Sequence, residues 1–124
     1  MGWFGRLFQR LRTDEAVHRF ASIREWCEVQ PGVKLVKDAE PRTVVRVAGA
    51  VEALRVRPRQ GVPQIEAQIS DGTGAVTAVW LGRRSIPGLA LGVRLILEGR
   101  LAIRDERAEI INPIFEFGQR PGER

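Results

Sequence analysis

The spacing of apolar residues changes once along the chain, and that change divides it into two parts. In the first thirty residues Trp3, Phe4, Leu7, Phe8 and Leu11 recur at intervals of three and four, which aligns them on one stripe of a helix. Arg6, Arg10 and Arg12 fall mainly on the other side. Thr13 or Asp14 is placed to cap a second helix. Its apolar stripe is Ala16, Phe20, Ile23 and Cys27, with Val17 and Trp26 at the edge, and Pro31-Gly32 ends it. A linker over residues 31–41 follows. From Arg42 the period becomes two: Val45, Val47, Gly49 and Val51 alternate with Arg46, Ala48, Ala50 and Glu52. The parity slips near Ala53, which predicts a bulge that brings out Arg55, Arg57 and Arg59 beside a turn at Gly61.

Four more strands are expected. Residues 63–70 alternate Ile65, Ala67 and Ile69 with Glu66, Gln68 and Ser70, and Asp71-Gly72-Thr73-Gly74 turns the chain into a third strand over 75–81. A connector over 82–92 is too long for a tight hairpin and contains the breaker Pro87-Gly88. The fourth strand sets Val93, Leu95, Leu97, Gly99, Leu101 and Ile103 against Arg94, Ile96, Glu98, Arg100, Ala102 and Arg104. Asp105-Glu106 turns it into a fifth strand over 107–117, and residues 118–124 read as a polar, flexible tail. Glycines inside the long first and fourth strands suit a curled sheet and not a flat one. The expected fold class is therefore mainly β, a five-stranded barrel of the OB type over residues 42–117 with an N-terminal helical segment.

Specific runs strengthen this reading. Ile69-Ser70-Asp71-Gly72-Thr73-Gly74, the stretch from Gly92 to Leu101, and Asn112-Pro113-Ile114-Phe115-Glu116 together resemble the OB barrel of the wedge domain of RecG-type helicases. They resemble still more closely small stand-alone actinobacterial proteins that carry an OB-fold nucleic-acid-binding domain. The resemblance implies binding of single-stranded or branched nucleic acid, with DNA favoured over RNA. A helicase motor is not expected, because the 124 residues contain no Gly-rich phosphate loop ending in Lys-Ser/Thr.

Charge fits that expectation. The 124 residues carry 20 basic and 15 acidic side chains, a net charge of +5, and all the basic residues except Lys34 and Lys37 are arginines. Arg55, Arg57 and Arg59 lie at the loop between strands one and two, which in an OB barrel borders the binding face, and Arg83-Arg84 follow the third strand. Guanidinium groups there would track phosphates and stack on bases, or else serve only as a solvated surface. Trp80 is either a stacking platform or a residue closing one end of the barrel. Rings make up only 6% of the chain and tyrosine is absent, so binding is expected to rest on arginine more than on stacking.

No catalytic or cofactor chemistry is apparent. His18 has no second ligand candidate nearby, Cys27 is the single cysteine, and Asp105 and Glu106 face no paired acid. The expected protein is a non-enzymatic binding module with no cofactor and no metal. The lone cysteine and the lack of a signal sequence or apolar span suit the cytoplasm. The stripe Trp3, Phe4, Leu7, Phe8, Leu11 has three open roles: packing on the barrel or second helix, docking a partner protein or a second copy, and weak contact with a membrane surface.

Overall fold

The computed structural model describes residues 23–118. Residues 23–28 are helical, and a short 3-10 turn, Val36–Asp38, precedes six strands. These are β1 Val44–Val56, β2 Gln64–Ser70, β3 Ala75–Leu81, β4 Arg94–Arg104, β5 Arg107–Ile111 and β6 Ile114–Phe117. Antiparallel pairings join β1 to β2, β2 to β3, β4 to β5 and β4 to β1. One parallel pairing, Thr77–Val79 of β3 against Glu109–Ile111 of β5, closes the ring of five. The expected stripe Trp3, Phe4, Leu7, Phe8 and Leu11 and nearly all of the expected tail lie outside the described residues.

The period of two puts one face of every strand inside. Val47, Ile69, Val76, Leu95, Leu97 and Ile110 are fully buried in a single core. The bulge falls where the parity slips: Val51 faces Ile69 but Ala53 faces Gln68, so Glu52 is the extra residue and the rest of β1 keeps its alternation against β2. Gly49 allows β1 to cross β2 closely, since a Cβ there would lie 2.6 Å from the Ser70 carbonyl oxygen.

The expected fifth strand is in fact two. Asn112 takes φ 51° and Pro113 offers no N–H, so the ladder stops and the chain crosses from β3 to the other half of β4. Asn112 secures the crossing, its N–H donating to the Val79 carbonyl at 2.6 Å and its Oδ1 accepting from the Leu81 N–H at 3.0 Å.

Side chains from the connectors complete the core. Ile86 buries in it from the turn Pro87-Gly88, and Val36 from the segment read as a linker. Val36 is tied down by Asp71, whose Oδ2 accepts its N–H at 2.8 Å. Asp71 Oδ1 accepts from the Thr73 N–H and hydroxyl at 2.8 and 2.6 Å and from the Gly74 N–H at 3.3 Å. The Gly72 N–H donates to the Ser70 hydroxyl at 3.1 Å, so the loop amides are taken by neighbouring side chains, which identifies Asp71–Gly74 as a turn and not a phosphate cradle.

The helix covers the outside of β1 and β4. Ile23 and Cys27 pack against Ala48, Ala50 and Ile96, three apolar residues at outward positions, and Trp26 lies under the Arg94 guanidinium at 5.4 Å. The Cys27 thiol donates to the Ala48 carbonyl at 3.3 Å. Burial pushes its pKa up to about 12, with the nearby negative charge of Asp71 adding to the effect.

Candidate nucleic-acid interface

Alternation leaves Gln64, Glu66 and Gln68 of β2 and Thr77 and Val79 of β3 on the outer face, away from the helix. Two hairpins rise beside this face. The β1–β2 hairpin ends in a two-residue turn with φ 51° at Gln60 and 81° at Gly61, closed by paired backbone bonds between Arg59 and Val62. The β4–β5 hairpin ends in a turn of the same form, with φ 51° at Asp105 and 62° at Glu106, between the paired residues Arg104 and Arg107.

Between the hairpins runs a groove of about 260 Å³. Arg57, Pro58 and Arg59 form one wall, and Arg104, Asp105 and Arg107 form the other. The floor is Gln64, Glu66, Thr77 and Val79, with Glu109 at its edge. Four arginines here face three carboxylates, so the groove is weakly positive overall, with all four arginines and Asp105 on the rims and Glu66 and Glu109 toward the floor. The Arg107 guanidinium donates to the Thr77 hydroxyl at 3.3 Å, and Arg104 lies 4.0 Å from Glu109. Gln64 is 6% exposed. Its Nε2 donates to Glu66 at 2.7 Å while its Oε1 has no hydrogen-bond partner.

Ion pairing differs among the arginines. On the helix side, Arg46 is bound to Glu116 at 2.8 Å and to Glu98 at 3.6 Å, and Arg94 covers Trp26. Among the described residues Arg57 and Arg59 have no ion-pair partner, and both face the groove.

Of the residues singled out from sequence, Arg57 and Arg59 line the groove. Arg55 is exposed on β1 opposite Glu66, just beyond it. Arg83 and Arg84 are exposed after β3, outside the groove, in a turn held to the foot of the first hairpin by the Gly82 N–H donating to Pro63. Trp80 requires a correction. It is 4% exposed, meets Phe115 edge-to-face at 5.2 Å and donates to the Pro113 carbonyl at 3.4 Å, so it closes the core and offers no ring to a base. Sequence reasoning missed the second wall, Arg104 and Arg107, and the floor residues Gln64 and Thr77. The available signal was Arg-Asp-Glu-Arg at the second hairpin, since the loop between strands four and five also borders the OB binding face.

Among the described residues no group of three or more His, Cys, Asp or Glu is placed to hold a metal ion, and no helix is long and apolar enough to cross a membrane.

No protein-family model matches the sequence, and no curated protein matches it. Solved structures do resemble it. Over 73% of the chain it superposes on 13% of a RecG chain, from RecG bound to a three-way DNA junction, with 19% identity and a TM-score of 0.57. Over 63% it superposes on 60% of a chain of the S. pombe Stn1–Ten1 complex, with 17% identity and a TM-score of 0.50. Over 79% it matches 78% of a chain of a replication protein A heterotrimer bound to single-stranded DNA, with 15% identity and a TM-score of 0.50. The chain spans less than two thirds of the RecG and Stn1–Ten1 chains that it matches. At such identities the likeness concerns the backbone, and with the closed five-strand ring it establishes the fold: this chain is an OB barrel with a helix packed on its outer side.

Proposed function

We propose that the protein is a non-catalytic nucleic-acid-binding module that holds single-stranded or branched DNA, in preference to RNA, in the groove over β2 and β3. The observation that carries this reading is the pair of arginine-bearing hairpins facing one another across that groove, with Arg57 and Arg59 on one side and Arg104 and Arg107 on the other. Guanidinium groups so placed neutralise phosphates on both sides of a strand, while a ring-poor floor limits stacking. Arg55, Arg83 and Arg84 extend the basic surface beyond the first wall and would meet nucleic acid leaving the groove. The RecG and replication protein A structures that the barrel resembles are DNA complexes, which favours DNA as the ligand. Two of the three carboxylates of the groove have partners of their own, Glu66 with Gln64 and Glu109 with Arg104, and Asp105 sits at a hairpin tip, which suits binding rather than acid–base catalysis.

Fluorescence anisotropy with a labelled single-stranded 12-mer tests the proposal. Four phosphate contacts give a slope of about −3 in log K against log salt, so affinity falls roughly 50-fold between 50 and 200 mM salt. Arg57→Ala combined with Arg104→Ala should flatten that slope by about 1.4. No binding at 50 mM salt, or an unchanged slope in the double variant, overturns the proposal.

A further inference from the structure

Arg104 and Arg107 stand directly opposite each other across the β4–β5 ladder, on the face that lines the groove. Like charges so placed repel, and both residues are exposed, so their long side chains would be free to swing apart into water. Each is instead held by a different partner. Glu109 lies 4.0 Å from Arg104, and the hydroxyl of Thr77 accepts from the Arg107 guanidinium at 3.3 Å. The second bond crosses from β5 to β3, over the parallel pairing that closes the ring, where Thr77 is the register partner of Glu109.

Thr77 is itself fixed. It is 5% exposed, a β-branched residue inside β3, between Ala75 and Val79, which are buried on the same face. Burial alone would be served by valine, which has the same shape and no hydroxyl to satisfy. The hydroxyl finds its partner in Arg107, and one bond there leaves four of the five guanidinium N–H groups for a ligand.

We propose that Thr77 is a positioning residue for nucleic-acid binding: it holds the Arg107 guanidinium over the groove, so that a phosphate meets a donor already oriented. This inference rests on the nucleic-acid reading above and gives a role in it to a residue that need not touch the strand. A side chain immobilised in advance loses less rotamer freedom on binding, and the gain is about fivefold in affinity. The charge on Arg107 does not depend on the bond, so losing the bond leaves the number of neutralised phosphates unchanged.

Anisotropy with the labelled single-stranded 12-mer over a range of salt separates position from charge. Thr77→Val should weaken binding about fivefold at every salt concentration, with the slope of log K against log salt unchanged. Thr77→Ser, which keeps the hydroxyl, should bind within about twofold of the wild-type protein. Arg107→Ala should weaken binding and flatten the slope by about 0.7. Adding Thr77→Val to Arg107→Ala should then change affinity by less than about twofold, because no guanidinium is left to position. A residue that served only the packing of β3 would carry its loss into that background. Thermal melting by circular dichroism shows which variants fold, and Thr77→Ala carries the test if Thr77→Val does not. Wild-type affinity in the folded variant without the hydroxyl, no rescue by serine, or an equal loss with and without Arg107 overturns the positioning role alone. No binding by the wild-type protein at low salt overturns both readings.

Discussion

Replacing Asp71 by alanine removes the acceptor for four hydrogen bonds, three inside the β2–β3 turn and one to the Val36 N–H. The donors left behind differ in their access to water. Thr73 is half-buried and its groups can be solvated, whereas Val36 and Gly74 lie in buried positions. Each buried N–H left without a partner costs about 1–3 kcal/mol, so Asp71→Ala should lose roughly 3–4 kcal/mol. A chain of this size has of the order of 6–19 kcal/mol to lose from, so the variant stays folded. With a urea m-value of about 1.5 kcal/mol/M, the midpoint should fall by roughly 2–2.7 M. Asp71→Asn separates the two halves of the effect. Its amide oxygen can keep the turn, but its NH2 then confronts the Val36 N–H, and about half the loss should remain. Urea unfolding followed by tryptophan fluorescence measures all three proteins. A midpoint shift below about 0.5 M for Asp71→Ala, or wild-type stability for Asp71→Asn, would refute the assignment of Asp71 as the tie between the turn and Val36.

Three further outcomes are expected. Glu106 holds φ 62° in a turn that glycine suits better, so Glu106→Gly should gain about 1 kcal/mol and raise Tm by roughly 4 °C; unchanged or lower Tm in calorimetry contradicts this. Gly49→Ala drives a Cβ to within 2.6 Å of backbone, and a cost of about 2–3 kcal/mol should appear as a fall of roughly 10 °C in Tm. The Cys27 thiol, with its pKa raised by burial from 9.0 to about 12, should react with a disulfide reagent near pH 8 roughly 10³-fold more slowly in the native protein than in denaturant. Because the folded state raises that pKa, its contribution to stability is complete below about pH 9 and is lost as pH rises toward 12. Wild-type stability should therefore decline relative to Cys27→Ala above about pH 9 in urea unfolding at stepped pH.

How much of this was readable in the sequence depends on the range of the interaction. The alternation from Val45 to Val51, the slip at Ala53 and the Asp71–Gly74 turn are local, and the bulge between Val51 and Ala53 falls where the slip lies. The break at Asn112-Pro113 was present as a breaker dipeptide. It was masked by Ile110, Ile111, Ile114 and Phe115, which read as one continuous apolar strand. The direction of Trp80 had no local signal, because Val79 and Leu81 on either side are also apolar. Ala48, Ala50 and Ile96 are apolar at outward positions, a local sign of a covering element that the alternation alone left unread, and the helix meets them. The groove is the least readable feature, since its walls and floor come from four strands, and the bond from Arg107 to Thr77 spans 30 residues.

The most direct test of the groove as the binding site is a ¹⁵N–¹H correlation spectrum of the protein titrated with a single-stranded DNA 12-mer at low salt. Amide shifts are expected at Arg57, Gln64, Glu66, Thr77 and Arg107, with Ile23, Cys27, Ala48 and Ile96 on the helix-covered side unmoved. Shifts confined to the helix side, or a spectrum unchanged by saturating DNA, would contradict a binding site between the two hairpins.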